Sequence, residues 1–265
     1  MLELVNVTKT FSEQGDFCVL KDINIQVQPG KFVCILGPSG CGKTILLYLI
    51  AGFIKPTTGK ISLNKQEIKG PDLSRMMIFQ NYVMFPWKTV FDNVLFSLST
   101  VQKTTKEKND LVMESLKLVG LEDFKDWYPH HLSGGMQQRV AVARALVVNP
   151  SFVLMDEPFA ALDSQYRKYL RQNLEEIWLK IKNTVLFVTH SIYEAICLAD
   201  TIYLLSARPA TIKKVYEIDL PRPRDTASKQ FLDLEKEIEA ELAIEFEKIK
   251  NLTDDHSVDN LMKIN

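Results

Sequence analysis

The sequence predicts an α/β fold in which helices cover a central, mostly parallel β-sheet. Segments that are apolar along their whole length predict strands buried on both faces, as in a parallel sheet; they are Lys31–Gly37, Arg75–Gln80, Phe152–Asp156 and Thr184–His190. Helical patterns separate these segments, and this alternation is typical of α/β domains. With 265 residues, 46% of them apolar, the chain can bury a sizeable core.

Two further regions surround this sheet. The N-terminal segments LELVNVTKTF and VLKDINIQVQPG alternate apolar and polar residues, which predicts an antiparallel β subdomain at the edge of the core. Residues from about 81 to 150 have a mostly helical pattern, which we interpret as an inserted α-helical subdomain. Together with the parallel sheet, these regions form a predicted domain over residues 1–220.

A C-terminal extension is predicted over residues 221–265. The segment Leu220–Asp225 contains two prolines, which cannot continue a central strand or helix, and it therefore marks a boundary. Beyond it, apolar residues at helical spacing indicate an amphipathic helix; they are Phe231, Leu234, Ile238, Leu242, Phe246 and Ile249. We favour packing of this helix on its own chain over a docking or dimer face, and we expect a polar, poorly ordered tail from Asn251.

Composition excludes several classes of protein. The formal net charge of −1 is unlike that of a nucleic-acid-binding protein, so no nucleic-acid partner is expected. The cysteines form no metal-binding spacing and are expected to be free thiols; they are Cys18, Cys34, Cys41 and Cys197. The N-terminus lacks the pattern of a signal peptide, and the apolar run Thr44–Ile54 is too short to cross a membrane. We therefore expect a soluble chain that would act at a membrane only through a partner.

The segment GPSGCGKT fits the phosphate-loop pattern G-x-x-x-x-G-K-[ST] and follows a predicted strand. Its glycines allow successive backbone N–H groups to turn toward phosphate oxygens, and a helix beginning near Lys43 adds the positive end of its dipole. We expect Lys43 to reach the β- and γ-phosphates of a nucleotide and Thr44 to bind Mg²⁺. The residues assigned to phosphate binding are Gly37, Pro38, Ser39, Gly40, Cys41, Gly42, Lys43 and Thr44.

Each predicted parallel strand ends in a polar residue or a glycine, namely Gly37, Gln80, Asp156 and His190. Because ligands of open α/β sheets bind at the carboxyl ends of the strands, we expect these residues to meet at one edge. Gln80 is expected to contact the metal or the attacking water. His190 is expected to hydrogen-bond the γ-phosphate.

Two acids are adjacent at the end of the strand FVLMD: Asp156 is its last residue, and Glu157 follows directly. Asp156 is placed to hold Mg²⁺, directly or through water. Glu157 is placed to accept a proton from an attacking water, which is the role of a general base. The predicted catalytic residues are thus Lys43, Gln80, Glu157 and His190, and the predicted metal ligands are Thr44, Gln80 and Asp156.

A second glycine pair occurs in HLSGGMQQRV, which begins at His131. If a helix starts near Ser133, the hydroxyl of that residue and the N–H groups of Gly134 and Gly135 form a second anion site. One triphosphate has a single γ end, and the phosphate loop already surrounds one side of it. The second site can close over the other side only if the two surfaces face each other.

In their order along the chain, GPSGCGKT, Gln80, LSGGMQQR, VLMDEP, ALD at Ala161–Asp163 and His190 resemble the ATPase subunit of ABC transporters. The resemblance covers roughly residues 1 to 205. It implies a P-loop NTPase fold with a RecA-like core, with ATP and Mg²⁺ as ligands. It also implies a head-to-tail dimer in which the LSGG loop of one chain completes the ATP site of the other. Phe11 would then stack on the adenine, and Asp163 would lie at the dimer interface.

Two longer segments, NYVMFPWKTVFDNV and ARPATIKKVYEIDLPRPRD, resemble the ATPases of importers for nitrate, taurine, alkanesulfonates and bicarbonate. This resemblance implies an ATPase subunit at the cytoplasmic face of the membrane, bound to an integral membrane permease and served indirectly by a solute-binding protein. The bend with Phe85, Pro86 and Trp87 would lie near a groove that receives a helix of the permease. For Trp87, packing in the core is an equal alternative.

Other classes of ATPase remain as alternatives. The sequence leaves open the ATPase of an exporter. A soluble ABC ATPase of iron–sulfur cluster assembly has a similar length, but a more charged run is expected there after the LSGG glycines. ABC proteins of DNA repair or translation are disfavoured because the chain has no long coiled coil, second ATPase domain or basic stretch. A P-loop kinase would not need the LSGG segment.

Overall fold

The computed structural model describes residues 1–12, 16–160 and 164–254. Its strands are β1 (Leu2–Phe11), β2 (Phe17–Val27), β3 (Phe32–Leu36), β4 (Thr58–Leu63), β5 (Gln66–Glu67), β6 (Arg75–Ile78), β7 (Phe152–Asp156), β8 (Thr184–Thr189), β9 (Thr201–Leu205) and β10 (Ile212–Glu217). Its α-helices are α1 (Lys43–Ala51), α2 (Val90–Phe96), α3 (Thr105–Leu118), α4 (Gly134–Leu146), α5 (Ser164–Ile181), α6 (Ile192–Leu198) and α7 (Lys229–Asp254).

The central sheet has the strand order β10-β9-β3-β8-β7-β6. Its neighbouring strands are parallel except for the edge strand β10, which pairs antiparallel with β9. Every residue of β3, β7 and β8 is buried, as their uninterrupted apolar character predicted. The predicted α/β fold with a parallel core is therefore confirmed.

A second sheet, with the order β2-β1-β4-β5, is antiparallel throughout, which confirms the predicted antiparallel edge. Helix α1 lies between the two sheets. Its buried residues Leu46 and Ile50 belong to the same apolar cluster as Leu4 of β1 and Ile35 of β3. This packing fixes α1, and with it the loop that precedes α1, against both sheets.

The helices α2, α3 and α4 follow β6 and precede β7 along the chain, within the stretch predicted to be helical, and they contact one another. Polar residues begin each of them. Thr89 caps α2, Thr104 and Glu107 form a capping box at α3, and Ser133 caps α4. The division of the chain into domains at residue 220 stays a prediction.

Helix α7 packs on α6 and differs from its prediction in two places. Phe246 is 53% exposed, whereas Glu245 is fully buried on the face that carries Leu242. Position 245 continues the stripe that runs through Leu242, and the lysines Lys213 and Lys248 supply partners for its carboxylate. The helix also continues to Asp254, so the predicted start of the tail at Asn251 was wrong, because polar residues without Gly or Pro do not force a helix to end.

Residues 255–265 of the predicted tail and Asp163 lie outside the described residues. Over the parts of the chain that the structure describes, no helix combines the length and the apolar character that crossing a membrane requires.

Candidate functional site

The phosphate loop connects the end of β3 to the start of α1. Two of its glycines have left-handed backbone angles, with φ of 72° at Gly40 and 115° at Gly42. A Cβ at Gly42 would lie 2.8 Å from a methyl carbon of Val19. A residue with a side chain would therefore be strained there and would also collide with β2, so this turn requires glycine.

Lys43 is the first residue of α1, and its side chain folds back over the loop. Its Nζ donates hydrogen bonds to the carbonyl oxygens of Gly37 at 2.9 Å and Pro38 at 3.0 Å. The same atom lies 3.7 Å from Oε1 of Glu157, and the side chain is 5% exposed. A buried cation is thus held inside the loop, with a carboxylate as its counter-charge.

Glu157 follows β7 and lies between Lys43 and His190. Its Oε2 is 2.8 Å from Nδ1 of His190, which follows β8. The backbone of Glu157 has a φ of 41°, and its N–H donates to the carbonyl of Val188 at 3.0 Å. Three elements therefore direct three charged or titratable side chains to one point. Of these residues, the strand-end argument had named His190. A carboxylate placed there can accept a proton.

Thr44 and Asp156 form a second pair beside this point. The hydroxyl of Thr44 donates to Oδ1 of Asp156 at 3.1 Å. Burial raises the pKa of Asp156, the charge of Glu157 raises it further, and the bond from Thr44 and the charge of Lys43 oppose the rise. Hydroxyl and carboxylate oxygens are ligands that Mg²⁺ prefers. The donor set therefore fits this ion.

Among the described residues, no group of three or more His, Cys, Asp or Glu side chains is close enough to hold a metal by itself. Mg²⁺ usually keeps several water ligands and binds through one or two protein oxygens and the phosphates of its substrate. The pair formed by Thr44 and Asp156 is in keeping with that mode of binding.

Gln80 lies in the turn that follows β6, and its side chain is exposed. The next residues, Tyr82 and Val83, have φ angles of 56° and 35°, which β-branched and bulky residues rarely adopt. The Tyr82 hydroxyl donates to the carbonyl of Pro158 at 2.8 Å, and burial raises the pKa of this phenol to about 12. The turn that carries Gln80 is therefore tied to the residue after Glu157.

The LSGG segment forms the N-terminus of α4. Ser133 Oγ accepts a hydrogen bond from the N–H of Met136 at 3.3 Å and so caps the helix. Ser133 and Gly134 are exposed, whereas Gly135 is buried. The N–H groups of Gly134 and Gly135 belong to the first helical turn, where backbone donors have no partner within the helix. An anion can therefore approach this end of α4.

Phe11 ends β1 with 36% of its surface exposed, opposite Phe17 at the start of β2. Trp87 is 70% exposed, so packing of this residue in the core is wrong. Its ring centroid lies 5.7 Å from that of Phe85, and the two rings form an apolar surface after the Gln80 turn.

Arg208 is a residue near the phosphate loop that the sequence did not reveal. Its guanidinium donates to the carbonyl oxygen of Gly40 through Nε, at 2.9 Å, and through Nη2. The contact joins residues far apart in the chain, and no local pattern marks it. All four cysteines are free, as predicted, and Cys41 in the loop is 1% exposed.

Comparison with known proteins finds ATP-binding proteins of ABC transporters by family model and by relatives alike. The model of the ABC transporter family matches residues 20–160. An uncharacterized ABC transporter ATP-binding protein of Methanocaldococcus jannaschii is 49% identical over 89% of this chain and 89% of its own length. A nitrate import ATP-binding protein of Synechocystis sp. is 42% identical over 90% of each chain. An aliphatic sulfonates import ATP-binding protein of Bacillus licheniformis is 44% identical over 88% of this chain and 91% of its own.

A solved structure extends the likeness to three dimensions. A dimeric ATP-binding cassette in a post-hydrolysis state, bound to ADP and phosphate, aligns with a TM-score of 0.70. It is 32% identical, and the alignment covers 82% of this chain and 99% of that one.

Proposed function

Because the chain belongs to the ABC transporter ATP-binding family, we propose that it is the ATP-hydrolysing subunit of an importer for a small anionic solute. The family supports ATP binding and hydrolysis. The observation that carries the proposal for this site is the convergence of Lys43, Glu157 and His190 at the carboxyl edge of the sheet. At this point a cation that can bind phosphate lies beside a carboxylate that can take a proton from water.

Within the site, the roles follow from position and charge. The phosphate loop and Lys43 bind the phosphates, and Phe11 stacks on the adenine. Glu157 takes a proton from the attacking water, and His190 holds the carboxylate in place through their 2.8 Å contact while its exposed ring faces the γ-phosphate. Catalysis then consists mainly of positioning and stabilisation of charge.

Mg²⁺ would be held by Thr44 and Asp156, with Gln80 brought to it by the turn after β6. When bound, the ion would neutralise charge on the phosphates. The contact between Thr44 and Asp156 keeps both oxygens directed to one place beside the phosphate loop.

A complete site requires two chains arranged head to tail. The N-terminus of α4, where Ser133 and Gly134 are exposed and Gly135 is buried, would bind the γ-phosphate held by the phosphate loop of the other chain. ATP would thereby close the dimer, and hydrolysis would open it.

The names of the relatives support uptake of an anion, since nitrate and aliphatic sulfonates share a small, negatively charged oxygen group. A membrane permease would dock on the surface formed by the exposed Trp87 and the half-buried Phe85, and the chain would then lie at the cytoplasmic face of the membrane. A solute-binding protein would deliver the anion to that permease. Neither an exporter nor iron–sulfur cluster assembly is favoured by these relatives.

Two variants test the assignment of the site. Lys43→Ala should abolish nearly all ATP hydrolysis by the folded chain, and Glu157→Gln should bind ATP but barely hydrolyse it. Lys60→Ala, which changes an exposed lysine of β4, is the control. Near-normal hydrolysis by a folded Lys43→Ala chain would remove the assignment.

Uptake tests the proposed solute class. Vesicles that contain the chain with its permease and binding protein should take up nitrate, bicarbonate or an alkanesulfonate when ATP is supplied inside. Uptake of neutral sugars in preference to all of these anions would contradict the proposal.

A further inference from the structure

The connection between β9 and β10, residues 206–211, forms a support for the phosphate loop. A Cβ at Gly37 would lie 3.1 Å from Cβ of Leu205, so the first glycine of the loop packs directly on the end of β9. Arg208 in the connection donates to the carbonyl oxygen of Gly40. The loop therefore contacts the end of β9 at Gly37 and the connection that follows it at Gly40.

Arg208 fixes a specific peptide group of the loop. Its Nε lies 2.9 Å from the Gly40 oxygen, and its guanidinium lies 4.9 Å from the ring centroid of Phe17, which limits its freedom. Since a peptide group is planar, holding the carbonyl of Gly40 also sets the direction of the N–H of Cys41, which donates to the carbonyl of Pro38 at 3.4 Å within the loop. Gly40 has a φ of 72°, so this peptide lies in the tight turn that gives the phosphate loop its shape.

Helix α7 holds the same connection from its other side. Oε2 of Glu245 accepts a hydrogen bond from the N–H of Ala207 at 2.8 Å, next to Arg208 in the chain. The other oxygen of Glu245 lies 3.0 Å from Nζ of Lys213 and 2.7 Å from Nζ of Lys248. Glu245 is fully buried, and a buried carboxylate is stable only when such partners surround it.

The pKa of Glu245 agrees with this arrangement. Burial by itself raises the pKa, but the hydrogen bonds from Lys248, the N–H of Ala207 and Lys213 outweigh burial and lower it to about 2. The carboxylate is therefore ionised at neutral pH, and its position is determined by three donors on β10, α7 and the connection.

We propose that α7 controls the affinity of the phosphate loop for ATP through Glu245 and Arg208. Glu245 holds Ala207, and Arg208 acts as a positioning residue that holds the Gly40–Cys41 peptide and, with it, the shape of the phosphate loop. This inference rests on the proposed function of residues 37–44. It predicts a change in ATP affinity with little change in turnover, because Glu157 and His190 are untouched.

Two variants and a matched control test the proposal by the separation of KM from kcat. Arg208→Met, at an exposed position, should raise KM and Kd for ATP by about three- to tenfold, because a charge-assisted bond is lost, with kcat within about twofold of the parent. Glu245→Gln should raise KM by about two- to fivefold. Glu237→Gln is the control, since Glu237 lies on the same helix but pairs with Lys214 at the surface. It should leave both constants unchanged.

The double variant tests whether the two residues act through one route. If Glu245 acts through Arg208, the combined loss in ATP affinity equals that of Arg208→Met alone. The proposal would be overturned if the losses of ATP affinity in the two single variants multiplied in the double variant. It would also be overturned if either Arg208→Met or Glu245→Gln bound ATP with normal affinity. If Glu245→Gln does not fold, Lys213→Met, which removes a partner of Glu245, takes its place. Failure of the parent chain to bind ATP would instead refute the proposed function.

Discussion

Tyr82 connects the turn after β6 to the end of β7, and the variant Tyr82→Phe removes only the connecting hydroxyl. That hydroxyl donates a hydrogen bond to the carbonyl of Pro158 at 2.8 Å, and Tyr82 itself is only 8% exposed. Its loss leaves a carbonyl without this donor, which costs about 1–2 kcal/mol of unfolding free energy. The left-handed backbone of Tyr82 and Val83 costs about 1–3 kcal/mol per residue, so the turn depends on such contacts.

The same variant should lower ATP turnover. Pro158 is adjacent to the proposed base Glu157, and Gln80 lies in the turn that Tyr82 holds. Relaxation of either segment moves groups that must meet the attacking water, so we expect kcat to fall by about three- to tenfold. The affinity for ATP should be unchanged, because the bonds of Lys43 to the phosphate loop do not involve Tyr82.

Tyr203→Phe is the matched control for this prediction. Tyr203 is also 8% exposed, and its hydroxyl donates to the carbonyl of Gln26 at 2.9 Å, away from the proposed catalytic groups. Urea unfolding and steady-state ATP hydrolysis are measured for both variants. Both should lose stability, but only Tyr82→Phe should lose turnover. Equal turnover in the two variants would refute the reasoning, as would a loss of ATP affinity that parallels the loss of kcat.

Further predictions concern the phosphate loop and α7. Gly42→Ala places a Cβ 2.8 Å from the nearest side-chain carbon at a φ of 115°, so ATP binding measured by titration should be lost, whereas Gly70→Ala, with no atom within 4 Å of the new Cβ, should bind normally. The pKa of Glu245 is lowered from 4.5 to about 2 on folding. Its ionised carboxylate therefore contributes about 3 kcal/mol to the free energy of unfolding above pH 4.5, and this contribution is lost as the pH falls toward 2. In acid unfolding, Glu245→Gln should make the free energy of unfolding depend less on pH over this range. Cys41 is 1% exposed and burial raises its pKa, so a thiol reagent should modify the half-buried Cys18 first, as peptide mass spectrometry can establish.

Features that depend on one element and its neighbours in sequence could be predicted. The uninterrupted apolar character of β3, β7 and β8 reports burial on both faces, and parallel pairing then brings Glu157 and His190 to one edge. The glycine pattern of the phosphate loop likewise reflects a local turn. For this reason Asp156 and His190 could be expected at one edge of the sheet, but the contact between Glu157 and His190 was not predicted, because His190 had been assigned to the γ-phosphate.

Features that depend on long-range geometry could not be predicted. The contact of Arg208 with Gly40 joins two loops whose approach depends on how β2, β9 and α1 pack. The burial of Glu245 in place of Phe246 depends on Lys213, which lies on a different element. A pattern of apolar residues predicts that a phenylalanine is buried in preference to a glutamate. The glutamate is buried here because its carboxylate has partners, and the sequence pattern does not show them.

A mixture of two defective chains tests most directly whether the ATP site is shared between two copies. Lys43→Ala damages the phosphate loop and leaves the start of α4 intact, whereas Gly135→Asp places a carboxylate at the start of α4, where it would repel the γ-phosphate. A head-to-tail dimer of the two chains has one sound site, so mixing should restore ATP-dependent retention of nucleotide, up to one per dimer, although neither parent retains it. Two different affinity tags establish that the mixed dimer has formed. A mixed dimer that retains no more ATP than either parent would contradict a site completed by a second chain.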